Sequence, residues 1–167
     1  EKARYLLHKN NINDPNYINF LLPIFENIFE FLNKDMTGLD FGSGKASALE
    51  NIFKQNSFDK IFSYDPYFAN DLNLLEKKYD FIVTTETIEH FYNPRKEFDL
   101  INDLLKNSGF LGIMTSIFYD DLNFGNWYYK NDPTHVSFYR EKTFDWLANH
   151  YNFEIIKKTK NIVILQK

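Results

Sequence analysis

Gly38-Leu39-Asp40-Phe41-Gly42-Ser43-Gly44 decides the fold of this chain. Residues of strand character run straight into a turn with two glycines, and the stretch from Ala46 to about Gln55 then reads as a helix. That succession leaves unpaired backbone N–H groups and a positive helix end beside a surface the glycines keep open, which is a ligand site by construction. The spacing does not choose the ligand, because Gly42-x-Gly44 followed about twenty residues on by Asp65 also fits a dinucleotide-binding turn. Asp40 separates the alternatives. It would repel each pyrophosphate charge by about 4 kcal/mol at ~4 Å and an effective dielectric of ~20, whereas it would attract an ammonium group equally strongly. Asp65, ending the next strand, suits ribose hydroxyls in either case.

Working outward, Asp14-Pro15 reads as an N-cap and first-turn proline, and Tyr17 to Leu32 repeats apolar residues at helical spacing, with Ile18, Leu21, Leu22, Phe25, Ile28, Phe29 and Leu32 as the buried stripe. Lys60 to Tyr64 is a second strand stopped by Asp65-Pro66, and Tyr79 to Thr85 is a third whose continuous apolar core predicts burial on both faces. A helix follows from Pro94 to about Lys106, then a turn at Asn107-Ser108-Gly109 and a strand from Phe110 to Ser116. Phe118 to Tyr139 is aromatic, polar and aperiodic; a helix from Glu141 to about His150 and two strands, Phe153 to Lys158 and Ile162 to Gln166, close the chain. Alternating strands and helices predict an α/β fold with a largely parallel sheet, and the three-residue connection Thr159-Lys160-Asn161 predicts an antiparallel final pair.

The 167 residues read as a single domain, 1–167, with a helical cap over 1–35 and a Rossmann-like core over 36–167. A formal charge of −4 with scattered lysines argues against a nucleic-acid partner. No cysteine is present, which excludes disulfides and thiolate chemistry, and no apolar run reaches the roughly 18 residues of a membrane span; a cytoplasmic location is the expectation. Aromatic residues make up 19% of the chain, a surplus that fills core or lines a pocket for a flat ligand.

Taken together, Leu39-Asp40-Phe41-Gly42-Ser43-Gly44, Tyr64-Asp65-Pro66 and Tyr79-Asp80-Phe81-Ile82-Val83 resemble the first, second and fourth-strand motifs of class I S-adenosylmethionine-dependent methyltransferases. Thr85-Glu86-Thr87-Ile88-Glu89-His90-Phe91 and Asp132-Pro133-Thr134-His135-Val136 are similar to a subgroup related to the ubiquinone-biosynthesis O-methyltransferases. The resemblance implies a three-layer Rossmann-like methyltransferase sheet of order 2-1-4-5-7-6, with S-adenosylmethionine across its carboxyl ends and S-adenosylhomocysteine as product. It implies that Asp40, Phe41, Gly42, Ser43 and Gly44 hold the methionine part, Asp65 and Pro66 the ribose, and that Thr85 and Glu86 face the cofactor. Two departures stand out. Ala46 occupies the position of the family's third glycine, and only thirteen residues, Pro66 to Lys78, separate the second strand from Tyr79, so the usual helix, third strand and adenine-contacting acid are abbreviated. Phe68, Asp71 and Leu72 are the nearest substitutes for that contact.

Methyl transfer aligns a nucleophile about 3 to 3.5 Å behind the methyl carbon, and a protonated oxygen or nitrogen acceptor also needs a base. His135, in the aperiodic segment with Asp132 three residues earlier to orient it, is the first choice, and His90 the second; a structural role in the loop is the alternative for each. His8 falls in the leader, where Arg4, Tyr5 and Tyr17 could cover the cofactor, and His150 reads as a helix C-cap. Trp127, Tyr128, Asp132 and Tyr139 are the expected substrate contacts. The spacing of Glu86, Glu89, His90 and His135 matches no established metal motif, and no metal is expected. The expected activity is transfer of a methyl group to oxygen or nitrogen of a small molecule. A fold kept only as a binding or interaction domain, and an NAD-dependent oxidoreductase, are the alternatives.

Overall fold

The computed structural model describes Ile12, residues 14–45 and residues 47–167. In chain order it contains α1 (Pro15–Phe29), β1 (Gly38–Phe41), α2 (Ala48–Gln55), β2 (Ile61–Tyr64), β3 (Tyr79–Thr85), α3 (Pro94–Leu104), β4 (Leu105–Met114), α4 (Glu141–Tyr151), β5 (Glu154–Lys158) and β6 (Ile162–Gln166). Short 3-10 turns lie at Leu72–Glu76, Ile88–His90, Phe124–Asn126 and Tyr128–Asn131. The strands form one sheet, β2-β1-β3-β4-β6-β5, parallel from β2 to β4 and antiparallel at β4–β6 and β6–β5. This is the expected order, renumbered for the abbreviated unit: Pro66 to Lys78 supplies only a bridge between Asp65 and Ala69 and the turn Leu72–Glu76, so β2 is the sheet's edge.

Side-chain alternation along each strand builds two cores. Phe81, Val83, Phe110, Met114, Ile162 and Ile164 face α1 and α2, while Leu39, Phe41, Ile82, Leu111, Ile113, Val163 and Leu165 face the opposite way, where α3 and α4 supply Phe98, Ile101, Phe144 and Leu147. Much of the aromatic surplus is spent on the first face: Phe53 stacks on Phe81 at 5.2 Å and meets Phe25 and Phe58 edge-on. Each such ring contributes about 1.5–3 kcal/mol through the apolar surface it removes from water.

Three boundaries differ from the expectation. Helix α1 begins at Pro15, with the Asp14 carboxylate accepting from the Asn16 N–H, and ends at Phe29. Its inner face uses Ile24, whereas Phe29 is exposed. Helix α3 stops at Leu104, and the residues expected to form a turn, Asn107 to Gly109, are a bulge within β4: pairing jumps from Tyr79–Leu105 to Phe81–Phe110. The cause is local. Asp80 accepts from the Thr37 N–H and pairs with Lys106 at 2.9 Å, and the chain loops out around it with Ser108 at φ 61°. Helix α2 starts at Ala48; Ala46 lies outside the described residues, as do Arg4, Tyr5 and His8.

The turn after β1 is where glycine is needed. Gly42 has φ +83° and a Cβ there would sit 2.2 Å from the Thr87 methyl, whose hydroxyl donates to the Gly42 carbonyl. Gly44 has φ +64° with open space around it. Gly44→Ala is therefore expected to cost only the left-handed backbone penalty of about 1–2 kcal/mol. Gly42→Ala adds a steric clash of roughly 1–3 kcal/mol more, so a thermal melt should drop about twice as far for Gly42→Ala as for Gly44→Ala.

Candidate functional site

A cavity of about 650 Å³ opens at the carboxyl ends of β1 and β3, on the side of the sheet covered by α1. Its walls are Tyr17, Phe20 and Leu21 of α1, Leu49 of α2, the turn residues Gly42, Ser43 and Gly44, and the loop from Tyr128 to His135. Four carboxylates line it, Asp40, Glu86, Glu89 and Asp132, and no lysine or arginine is among the described residues that do. Such a cavity selects for positive charge.

Asp40 is the most constrained of the four. Strand alternation aims it at the face that carries Phe81 and Val83, so it is only 3% exposed, and it takes no hydrogen bond from any described residue. Burial, then the charges of Glu50 and Asp65, push its pKa up to about 8. Tyr17 across the cavity is pushed up to about 12 by burial and by Asp40.

A second cluster lies at the other wall. Glu86 sits at φ 47°, a conformation uncommon for a residue with a side chain, held by its N–H donating to the Met114 carbonyl, and its Oε2 accepts from the Tyr129 hydroxyl at 3.1 Å. Glu89 is fully buried: Oε2 accepts from the Thr115 hydroxyl at 3.0 Å, and its carbonyl accepts the N–H groups of Val136 and Ser137, stitching the 3-10 turn to the late loop. Burial raises the pKa of both glutamates. His90 Nδ1 lies 3.0 Å from the Thr134 carbonyl oxygen and His135 Nδ1 2.7 Å from that of Tyr129. A carbonyl only accepts, so each Nδ1 carries a hydrogen, and in the neutral ring Nε2 then keeps the lone pair. The two rings meet edge-on at 4.9 Å.

The cavity thus brings together Asp40, Gly42, Ser43, Gly44, Thr85, Glu86, His90, Tyr128, Asp132 and His135 from the sequence-predicted set, and leaves others out. Phe41 points into the opposite core. Asp65 does not line the cavity; it accepts from the Gly44, Tyr67 and Phe68 N–H groups and so shapes the glycine turn, while Pro66 lies outside with it. Trp127 and Tyr139, expected against substrate, are wall residues instead: Trp127 packs among Phe118, Phe124 and Phe138, and the Tyr139 hydroxyl donates to the Ile88 carbonyl. The backbone of Tyr129 orients the His135 ring, a role assigned from sequence to Asp132, whose Oδ1 accepts from the Thr134 N–H and hydroxyl. Sequence reasoning considered Glu89 only as a metal ligand and Tyr129 only as one of the aromatic residues that suit the late segment to a flat substrate, and so missed the hydrogen bonds that tie both into the cavity wall. Their signal was a glutamate and a histidine adjacent just past a buried strand, and a tyrosine in the aperiodic segment.

A family described as a methyltransferase domain matches residues 15–158, which spans α1 through β5. The chain belongs to this family. The methyltransferase's fold recurs in solved structures of low sequence identity. An S-adenosylmethionine-dependent methyltransferase from Aquifex aeolicus superposes with TM-score 0.61 at 17% identity, over 99% of this chain and 97% of that one. The 1,6-didemethyltoxoflavin-N1-methyltransferase of Burkholderia thailandensis, bound to 1,6-didemethyltoxoflavin and S-adenosylhomocysteine, gives TM-score 0.63 at 12% identity, over 88% and 77%. A possible histamine N-methyltransferase from Thermotoga maritima gives 0.58 at 15%, over 88% and 87%. No curated protein matches this methyltransferase in sequence. Among the described residues, no helix is long and apolar enough to cross a membrane.

The raised pKa of Asp40 has a consequence for stability. Its folded-state value lies above its unfolded one, so its contribution to stability is fully present below pH 3.8 and is lost as pH rises towards about 8. Asp40→Asn keeps the shape and removes the charge. In melts across this range, the variant's advantage over wild type is expected to be nil near pH 4 and to grow to several degrees at pH 8.

Proposed function

We propose that this methyltransferase transfers the methyl group of S-adenosylmethionine to an oxygen or nitrogen of a small molecule bound in the cavity. One observation carries the reading: Asp40 is a buried carboxylate without a hydrogen-bond partner among the described residues, near the end of the first strand of a methyltransferase fold, in a cavity whose charged lining among those residues, histidine aside, is acidic. A ligand that is both an ammonium and a sulfonium supplies the missing positive charge. S-adenosylmethionine, when bound, offers an electrophilic methyl carbon on that sulfonium.

The residues divide the work. Asp40 receives the ammonium, and the Gly42–Gly44 turn lets the ligand approach the backbone closely; Thr85 and Glu86 bound the reacting end. Asp65 acts on the ribose side through the turn it shapes. His135 and His90 present their Nε2 lone pairs to the acceptor, whose hydroxyl or amine hydrogen they receive, with His135 placed by the Tyr129 carbonyl. Tyr128, 73% exposed at the cavity mouth, and Asp132 contact the acceptor.

Parallel calorimetric titrations test this. S-adenosylhomocysteine is expected to bind at about micromolar affinity and NAD not at all. Asp40→Ala should weaken the former at least ~100-fold, the loss typical of truncating one partner of a buried charge pair. His135→Ala should leave that affinity within about twofold and lower turnover by ~10²-fold or more with an identified acceptor. Binding of NAD alone, or undiminished binding by Asp40→Ala, would overturn the assignment.

A further inference from the structure

Glu89, His90 and His135 bring one ligand-type atom each, a carboxylate oxygen and two imidazole nitrogens, within 4.8 Å of one another at the cavity wall. Two further observations set this trio apart from an accidental cluster. Glu89 is fully buried, and its Oε1 has no hydrogen-bond partner although Oε2 is engaged by Thr115. A buried carboxylate oxygen without a donor is costly unless something positive meets it. Each histidine also has its Nδ1 hydrogen committed to a backbone carbonyl, which fixes the ring orientation and, in the neutral ring, makes Nε2 the ligating atom, the arrangement that prepares imidazoles for metal ligation.

We infer that Glu89, His90 and His135 form a binding site for a divalent first-row transition-metal ion on the acceptor side of the cavity. Two imidazoles and one carboxylate, with the remaining positions open to the cavity, are a donor set suited to Zn²⁺ and its neighbours rather than to Mg²⁺ or Ca²⁺, which favour oxygen. Tetrahedral coordination at ~2.1 Å puts ligand atoms about 3.4 Å apart, a closure within the reach of side-chain rotation. Glu86, whose carboxylate lines the same cavity and is held by Tyr129, adds negative charge beside the site. The role in catalysis rests on the methyl-transfer reading: in the loaded enzyme the imidazoles would ligate the ion instead of receiving a proton, and the ion would take the acceptor's hydroxyl oxygen at an open position and acidify it, the proton leaving to solvent while the oxygen bonds to the methyl carbon and the sulfur keeps the electron pair of the broken S–CH3 bond. The spacing of these residues in the sequence matches no established metal motif; the Glu89 carbonyl, bonded to the Val136 and Ser137 N–H groups, is what brings the two loops together.

Metal-stripped, untagged protein titrated with Co²⁺ tests the site without an assay for turnover. One equivalent is expected to bind with d–d absorption bands and to be displaced by Zn²⁺. His135→Asn and Glu89→Gln should each weaken Co²⁺ binding at least ~10-fold while S-adenosylhomocysteine affinity stays within about twofold; His135→Asn decides the matter if Glu89→Gln does not fold. No stoichiometric uptake by wild type, or uptake unchanged in His135→Asn, overturns the metal site and leaves the cofactor assignment standing. Stoichiometric uptake that His135→Asn abolishes supports the metal site even where S-adenosylhomocysteine fails to bind, a result that would overturn the methyl-donor reading alone.

Discussion

A carboxylate in a hydrocarbon-lined row of a parallel sheet is an expensive thing to fold around. Gly38, Asp40, Phe81 and Val83 share one face of adjoining strands, and α1 and α2 cover that face, so the side chain of Asp40 is almost wholly buried and has no hydrogen-bond donor among the described residues. Without a counter-charge the group is best kept neutral, which is the meaning of its raised pKa. The surroundings make a place for the missing cation: Gly42 opens the turn, Thr87 locks that turn against the loop after β3, and Asp65 braces its far side through the Gly44 N–H. On the proposed reading, stability given up at Asp40 is recovered when a positively charged ligand arrives, which makes fold and cofactor site one problem rather than two.

The opposite wall follows the same logic with different groups. Glu89 is buried deeper than Asp40 and half satisfied, and the late loop closes over it by donating two backbone N–H groups to its carbonyl and presenting His135 beside His90. Packing among Phe118, Phe124, Trp127 and Phe138 holds that loop, which has little regular structure of its own. The aromatic richness of the segment thus serves to hold polar groups in place, and it is Tyr128 that faces outward at the mouth.

Strand order, the antiparallel closing pair and the positions of β1, β3 and β6 were legible in the sequence because alternation and glycine punctuation are local signals. Asp40 was legible for a chemical reason, since a carboxylate beside a glycine turn makes sense with only one sign of ligand. The bulge after Leu105 was not, because it depends on Asp80 recruiting Lys106 and Thr37 across the sheet. Nor were the roles of Trp127 and Tyr139: an aromatic that lines a pocket and one that walls it have the same composition and differ only in which way the loop turns. The convergence of Glu89, His90 and His135 was hidden for a related reason, as it is created by hydrogen bonds between segments far apart in the chain.

With burial pushing its pKa up to about 8, Asp40 is mostly protonated at pH 7 without ligand, so the proposed pairing with an ammonium group requires loss of that proton on binding. Titration of S-adenosylhomocysteine at pH 7 in buffers of different ionisation enthalpy measures this directly. The account predicts release of close to one proton per ligand bound, falling towards none above about pH 9, where Asp40 is already charged. Proton-neutral binding at pH 7 would contradict it, and would place the positive charge of the ligand somewhere other than on Asp40.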